Sequence, residues 1–277
     1  MSLSPSLEPN PEAVRIAEKL LKENRRQKLL NRGLSLSMPF LLLLLWELLA
    51  RLGWIDTRFF AAPTQIAVTF WTLAANGQLL SDVAISLTRI VVGFAFGAVP
   101  GLLVGILMGQ SVLVRYLLNP LIAAIYPIPK IAILPLILFI FGFGEASKYA
   151  IIAIGVFFIV AVNTMTGAMG VPAIYLDVGK EFGAKRLAVF RTIVIPAALP
   201  VIFAGIKLAW GTALLLVVAA EFVGAKSGIG YMIWSSWQVF SIEQMFVGLF
   251  VIALLGFITL LLLDELEAKL LPWRNHV

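Results

Sequence analysis

SLTRIVVGFAFGAVPGLLVGILMGQ, residues 86–110, carries a single charge at Arg89, and the 21 residues from Ile90 to Gln110 carry none. About 20 mostly apolar helical residues cross the hydrocarbon core of a bilayer, so this run is long enough to span. Gly93, Gly97, Gly101, Gly105 and Gly109 recur at every fourth position. That spacing places them on one helix face, as a groove where another backbone can come close. The groove serves helix packing within this chain or a dimer contact with a second subunit.

The same reading extends outward to five more segments, roughly 34–52, 117–141, 148–167, 193–218 and 244–264, with this one counted as 83–108. The expected fold is an all-α polytopic membrane protein of about six transmembrane helices. A β-barrel is excluded, because its strands are shorter and alternate in polarity. Composition agrees: 61% of the 277 residues are hydrophobic and 13% are charged, against about 25% charged in soluble domains. The apolar run after Arg32 reads as a retained first span and not as a cleaved signal.

The basic residues set the orientation. Six spans with the N-terminus inside put fourteen lysines and arginines in cytoplasmic pieces and four (Arg51, Arg58, Lys148, Lys226) outside. That asymmetry follows the positive-inside rule, and it accounts for the net charge of +6 without nucleic acid. Three parts follow. Residues 1–33 are a cytoplasmic N-terminal segment, residues 34–265 a transmembrane domain, and residues 266–277 a cytoplasmic tail. Within 11–30, Val14, Ala17, Leu20 and Leu21 make an amphipathic helix suited to the membrane surface. Residues 63–80 are too polar to span; Ile66, Phe70, Trp71 and Leu73 predict an interfacial helix, with Trp54, Phe59 and Phe60 beside it in an aromatic belt.

The chain holds no cysteine, and its one histidine is His276. No disulfide, no thiolate or histidine metal site and no Ser-His-Asp triad is expected. An integral membrane enzyme would need clustered reactive side chains at one depth, and none is evident. A secondary transporter would favour matching broken helices in two halves, whereas one segment stands out. NPLIAAIYPIPKIAILPLILFIFGFG holds Pro120, Pro127, Pro129 and Pro135 around Lys130. Irregular backbone at membrane depth must be buried in protein or line a wet cavity, and a lysine there needs a partner or water. Lys130 therefore either pairs with a carboxylate such as Glu221 or lines a path with Pro129 and attracts an anion. Lys207, Trp210 and Glu221 are further path candidates, with Trp234 and Trp237 in a belt or outer vestibule. Arg89 is expected to snorkel to the interface or to pair with Glu221.

The remaining informative segment is VPAIYLDVGKEFGAKRLAVFRTIVIPAALP, residues 171–200. It reads as a short mixed-charge helix that turns at Gly183 and enters the next span at Pro196. It resembles the coupling motif of bacterial ABC importer permeases, Glu-Ala-Ala, three residues, Gly, nine residues, Ile, one residue, Leu-Pro. Asp177-Val178-Gly179 stand for Glu-Ala-Ala, Gly183 for the glycine, and Ile193 and Ile195-Pro196 for the end. Residues 86–110, 126–148 and 219–234 are similar to the nitrate, sulfonate, taurine and bicarbonate branch. The proline-lysine segment and DELEAKLLPWR (264–274) look closest to the aliphatic sulfonate and taurine members.

The resemblance implies a type I ABC importer permease architecture in a bacterial inner membrane, multi-pass, with both termini cytoplasmic. It implies a permease homodimer embedded in lipid, two cytoplasmic ATPase subunits and a periplasmic or lipid-anchored binding protein. The coupling loop at 171–196 would then press on the ATPase through Asp177, Val178, Gly179, Glu181, Gly183 and Ala184. The chain would bind no cofactor; ATP and Mg would sit on the partner subunit. The sequence has no GxxxxGK[ST], and Gly224-Ala225-Lys226-Ser227 lacks the Gly-Lys that would make one. The expected solute is a small anion, an aliphatic sulfonate or taurine-like compound, with nitrate or bicarbonate as alternatives.

Overall fold

The computed structural model describes residues 37–273 and the single positions Lys19 and Gln27. The amphipathic helix expected at 11–30 and residues 274–277 lie outside the described residues. The chain divides into two compact units, residues 1–65 and 66–277.

In the first unit, helix α1 covers 37–51 within the first expected span. Its leucines are mostly exposed, as suits a surface meeting lipid or protein. Glu47 accepts from Arg51 Nε (2.7 Å) and from the backbone N–H and hydroxyl of Thr64 (3.0 and 2.9 Å). Those bonds fix the turn that leads into α2.

Helix α2, Pro63–Ala75, runs into the second unit. Its residues Ile66, Phe70 and Leu73 pack on Ile229, Met232, Ile233, Val247 and Val251. The face assigned above to the membrane surface is therefore a packing face, and Trp71 is what remains exposed. Gly77, with φ at 80°, makes the turn into α3, Gln78–Gln110. At about 1.5 Å per residue α3 is roughly 50 Å long, well beyond one hydrocarbon thickness. Only Ser111 separates it from α4, Val112–Ile125. The Ser111 hydroxyl caps that helix by accepting from Val114 N–H, so the loop expected at 109–116 is one residue.

The proline-broken segment expected at 117–141 is two helices joined at a sharp bend. After α4 the chain passes through a 3₁₀ turn, Lys130–Ile133, into α5, Leu134–Phe141, with a bend of 85°. The prolines give the reason: Pro127 and Pro129 lie in the break, where no helical N–H is required. Pro135 opens α5.

Helix α6, Glu145–Met169, lies between α3 and α9. All five glycines of the row face α6, in chain order and turn by turn. A Cβ on Gly93 would lie 2.7 Å from Ile152 Cβ, and one on Gly97 would strike the Ala153 carbonyl oxygen. On Gly101 it would lie 2.9 Å from the Phe157 carbonyl oxygen, and on Gly105 it would lie 2.6 Å from that of Ala161. On Gly109 it would lie 2.5 Å from Ala168 Cβ. The dimer alternative for Gly93, Gly97, Gly101, Gly105 and Gly109 is therefore corrected. A helix of the same chain already fills their groove, and backbone that close leaves no room for a second subunit along it. On the other side of α6, Gly167 sits against Ala198. Ile90, Val156, Val160, Ala209, Ala213 and Val217 fill the core between the three helices.

Helices α7 (Ala173–Glu181) and α8 (Arg186–Val189) follow, then a π turn, Phe190–Val194, and α9, Ile195–Gly224. Pro196 has no N–H for the carbonyl one turn back. The π turn just before it accommodates that loss, with the Ile195 N–H reaching Phe190 O. From Arg186 to Gly224 the helix runs unbroken for 39 residues. Helices α10 (Ile229–Gln238) and α11 (Ile242–Leu270) complete the unit. Among the described residues four helices are long and apolar enough to cross a membrane, or five if the bent pair counts as one.

Candidate functional site

The α7 segment lies at the end of the bundle where α3 and α6 finish. Its inward face carries Leu176 and Gly179. A Cβ on Gly179 would lie 2.9 Å from Ile193 Cδ1 and 3.2 Å from Val189 Cγ2, so hydrogen there lets α7 rest on the π turn. Gly183 ends the helix at φ 69°. Its N–H reaches Lys180 O (2.8 Å) while the N–H of Ala184 reaches Gly179 O (3.0 Å). This is the Schellman arrangement, in which the left-handed position falls to glycine. Asp177 and Lys180 form an exposed pair at 2.9 Å. Ile174, Tyr175, Val178 and Phe182 share the outward face at helical spacing. All four are exposed, Phe182 to 87%. Apolar side chains thus stand exposed beside the Asp177–Lys180 pair on this short helix.

At the opposite end a buried polar cluster joins α3, α6 and the loop after α9. Arg89 is 3% exposed and Glu221 is 0% exposed, so Arg89 does not snorkel. Its guanidinium donates to Glu221 (2.8 Å), to both oxygens of Glu145 (2.6 and 2.7 Å) and to Ser227 O (2.7 Å). Glu221 also accepts from the Ser86 hydroxyl (2.7 Å) and from Gly230 N–H (2.7 Å), while Asp82 accepts from Gly228 N–H (2.7 Å). Buried charges need partners of this completeness. Lys148, placed above in an outer loop, is buried and donates to the carbonyls of Phe143 and Gly144 that end the α5–α6 turn. Pairing Glu221 with Arg89 leaves Lys130 without a carboxylate partner among the described residues.

Lys130 instead donates to Ile125 O, Tyr126 O and Ile128 O at 3.0–3.1 Å. Its ammonium also lies 4.8 Å from the centre of the Phe158 ring. All three of its donors are spent on carbonyls freed by the bend that Pro129 opens. Replacing Lys130 by methionine is expected to cost about 1–3 kcal/mol through those carbonyls, read as a lower unfolding midpoint in detergent. An unchanged midpoint with lost transport would assign Lys130 to the solute instead. Beside the bend is an open apolar cleft of about 700 Å³, walled by Ile131, Leu134, Leu215, Phe222 and Trp234.

The remaining path candidates are not gathered into one site. Lys207 pairs with Asp264 and Glu267 of α11. The Trp210 indole donates to Thr259 Oγ1 (2.8 Å) and meets Phe94 edge-on. Glu221 lies 14 residues beyond Lys207, about 21 Å along the same helix. The sequence reading missed Asp82, Ser86 and Glu145. Asp82, Ser86 and Arg89 fall on the same stripe of α3 as the glycines, and that spacing was a usable signal. No group of three or more metal-ligating side chains occurs among the described residues.

The model of the family described as binding-protein-dependent transport system inner membrane component matches residues 101–272. A protein of Bacillus subtilis (strain 168) named as an aliphatic sulfonates transport permease, SsuC, is 36% identical over 266 residues, covering 96% of this chain and 94% of that one. The taurine transport system permease protein TauC of Escherichia coli (strain K12) is 34% identical over 275 residues, 96% of this chain and 99% of that one. In fold, a chain of the MetNI methionine ABC transporter in an inward-facing conformation matches with a TM-score of 0.63 at 18% identity, over 71% of this chain and 97% of that one. The family model and these relatives show that the chain belongs to the binding-protein-dependent transport system inner membrane component family, as a transport permease subunit of an ABC importer whose ATPase is a separate subunit.

Proposed function

We propose that two copies of this chain form the membrane path of an importer for a small anion, an aliphatic sulfonate or taurine-like compound. In this reading the α7 end faces the cytoplasm of a bacterial cell and docks one ATPase subunit per permease. A binding protein delivers solute at the Arg89 end. The observation that carries the docking assignment is the exposed face of Ile174, Tyr175, Val178 and Phe182 on a helix capped at Gly183. That helix rests on the start of a continuous helix whose far end holds Glu221. A push on α7 thus has a stiff connection to the buried cluster around Arg89. The sulfonate assignment is supported by the identities of 36% and 34% to permeases named for aliphatic sulfonates and taurine. Solute is proposed to pass the bend at Pro129 and Lys130 and the apolar cleft beside it. A cleft walled by apolar side chains holds an anion weakly, which suits transit.

Charges on the docking face should break the complex. Tyr175→Glu and Phe182→Glu are each expected to reduce the ATPase retained by the purified chain at least about tenfold, as loss of a central interface anchor does. Lys226→Glu, at the other end, should leave retention unchanged. Full retention by both α7 variants would remove the docking assignment. Uptake by the reconstituted complex then separates the solutes. ATP-driven uptake of nitrate or bicarbonate in place of sulfonates would sink the substrate assignment and leave the subunit's role standing.

A further inference from the structure

A groove of about 440 Å³ lies behind α7, between the α3–α4 junction, the end of α6 and the π turn. Its charged lining is entirely basic: Arg115, Lys180 and Arg186. Lys180 is offset by Asp177. Arg115 gives one donor to Met108 O at 3.4 Å, and Arg186 has no ion pair or side-chain hydrogen bond among the described residues. Two guanidinium groups therefore face one groove without a carboxylate. The rest of its wall is largely apolar, with Leu176, Val189 and Phe190 among the lining residues. On α4, next to Arg115, Leu113, Tyr116 and Leu117 are exposed.

We propose that this groove binds the headgroup of an anionic phospholipid, with its phosphate on Arg115 and Arg186 and its first acyl carbons against the apolar wall. A guanidinium presents a planar fork that matches phosphate oxygens. Basic pockets at the ends of membrane helices attract anionic lipid for this reason. A small soluble anion would gain nothing from the apolar wall, whereas an amphiphile fills both halves of the groove. The exposed face of α4 offers a place for the acyl chains. A lipid seated there would join the α3–α4 junction to α7, whichever solute the chain carries.

The test is native mass spectrometry of the full-length chain released from detergent, with phosphatidylglycerol and phosphatidylcholine as competing probes. The wild type is expected to retain phosphatidylglycerol preferentially. Arg115→Gln and Arg186→Gln should each reduce that preference about fivefold, the weight of one basic residue at a membrane surface. Lys269→Gln, on α11 away from the groove, should leave it unchanged. Arg115→Lys and Arg186→Lys keep the charge but not the fork and should lose less of the preference than the glutamine variants, which separates loss of charge from loss of fold. Equal retention of the two lipids by the wild type, or glutamine variants that bind as the wild type does, overturns the assignment. Displacement of phosphatidylglycerol by millimolar inorganic phosphate alone also overturns it, in favour of a small-anion site.

Discussion

Replacing Arg89 with methionine is expected to destabilise the folded chain by about 3–5 kcal/mol, the usual consequence of removing one partner of a buried ion pair. Glu221 is 0% exposed and would keep its bonds from Ser86 and Gly230 but lose its counter-charge. Glu145 is less affected, because its side chain is 48% exposed and water can replace the guanidinium. Ser227 O would lose its donor as well, so the loop from Ala225 to Gly228 should open. The measurements are the unfolding midpoint in detergent and hydrogen exchange of the Gly228 amide, bonded to Asp82 in the wild type, which should lose protection. The double variant Arg89→Met with Glu221→Met removes both charges and should cost less than the sum of the single changes. A single change worth under about 1 kcal/mol would mean that water reaches the pair and that the cluster does not clasp this end.

Gly105→Val should prevent α3 and α6 from closing. A Cβ there would lie 2.6 Å from the Ala161 carbonyl oxygen and 2.6 Å from Thr164 Cβ. A carbonyl within a helix cannot turn aside, so the helices must separate. Overpacking usually costs about 1–3 kcal/mol, and meeting backbone places this change at or above the top of that range. In lipid, close packing is a main source of helix association, so the separation is not recovered elsewhere. The variant is expected to accumulate poorly and to be cut rapidly by added protease. Gly211→Ala supplies the opposite sign. It lies inside α9 with nothing within 4 Å of a new Cβ, and alanine should gain up to about 1 kcal/mol of helix propensity. If both changes proved neutral, the tight α3–α6 contact could not be what holds these helices.

Particular residues show how far the sequence could be read. The row from Gly93 through Gly97 to Gly109 predicted a close backbone contact from spacing alone, because periodicity is a property of one helix. Whether α6 or a second subunit filled it was not readable, since the partner is distant in sequence. The loop at 171–200 was legible as a helix turning at Gly183, since a left-handed cap has a local signature. The exposure of Phe182 was not, because exposure depends on what else packs nearby. Lys207 was read as lining a path, yet its carboxylate partners stand 57 and 60 residues away on α11. The segment 117–141 was read as a broken but continuous span; the 85° bend depends on carbonyls finding Lys130 as their donor.

By itself, the sequence determined that this is a helical membrane protein with one closely packing glycine face and one mixed-charge helix that turns at Gly183. Hydropathy and periodicity are sums over contiguous residues, and no folded context is needed to take them. Only the tertiary structure decided that Arg89 meets Glu145 and Glu221, that Lys130 caps a bend, and that α7 turns its apolar face outward. Those outcomes depend on which helix ends come together, and a buried charge or an exposed side chain acquires its partner only when they do.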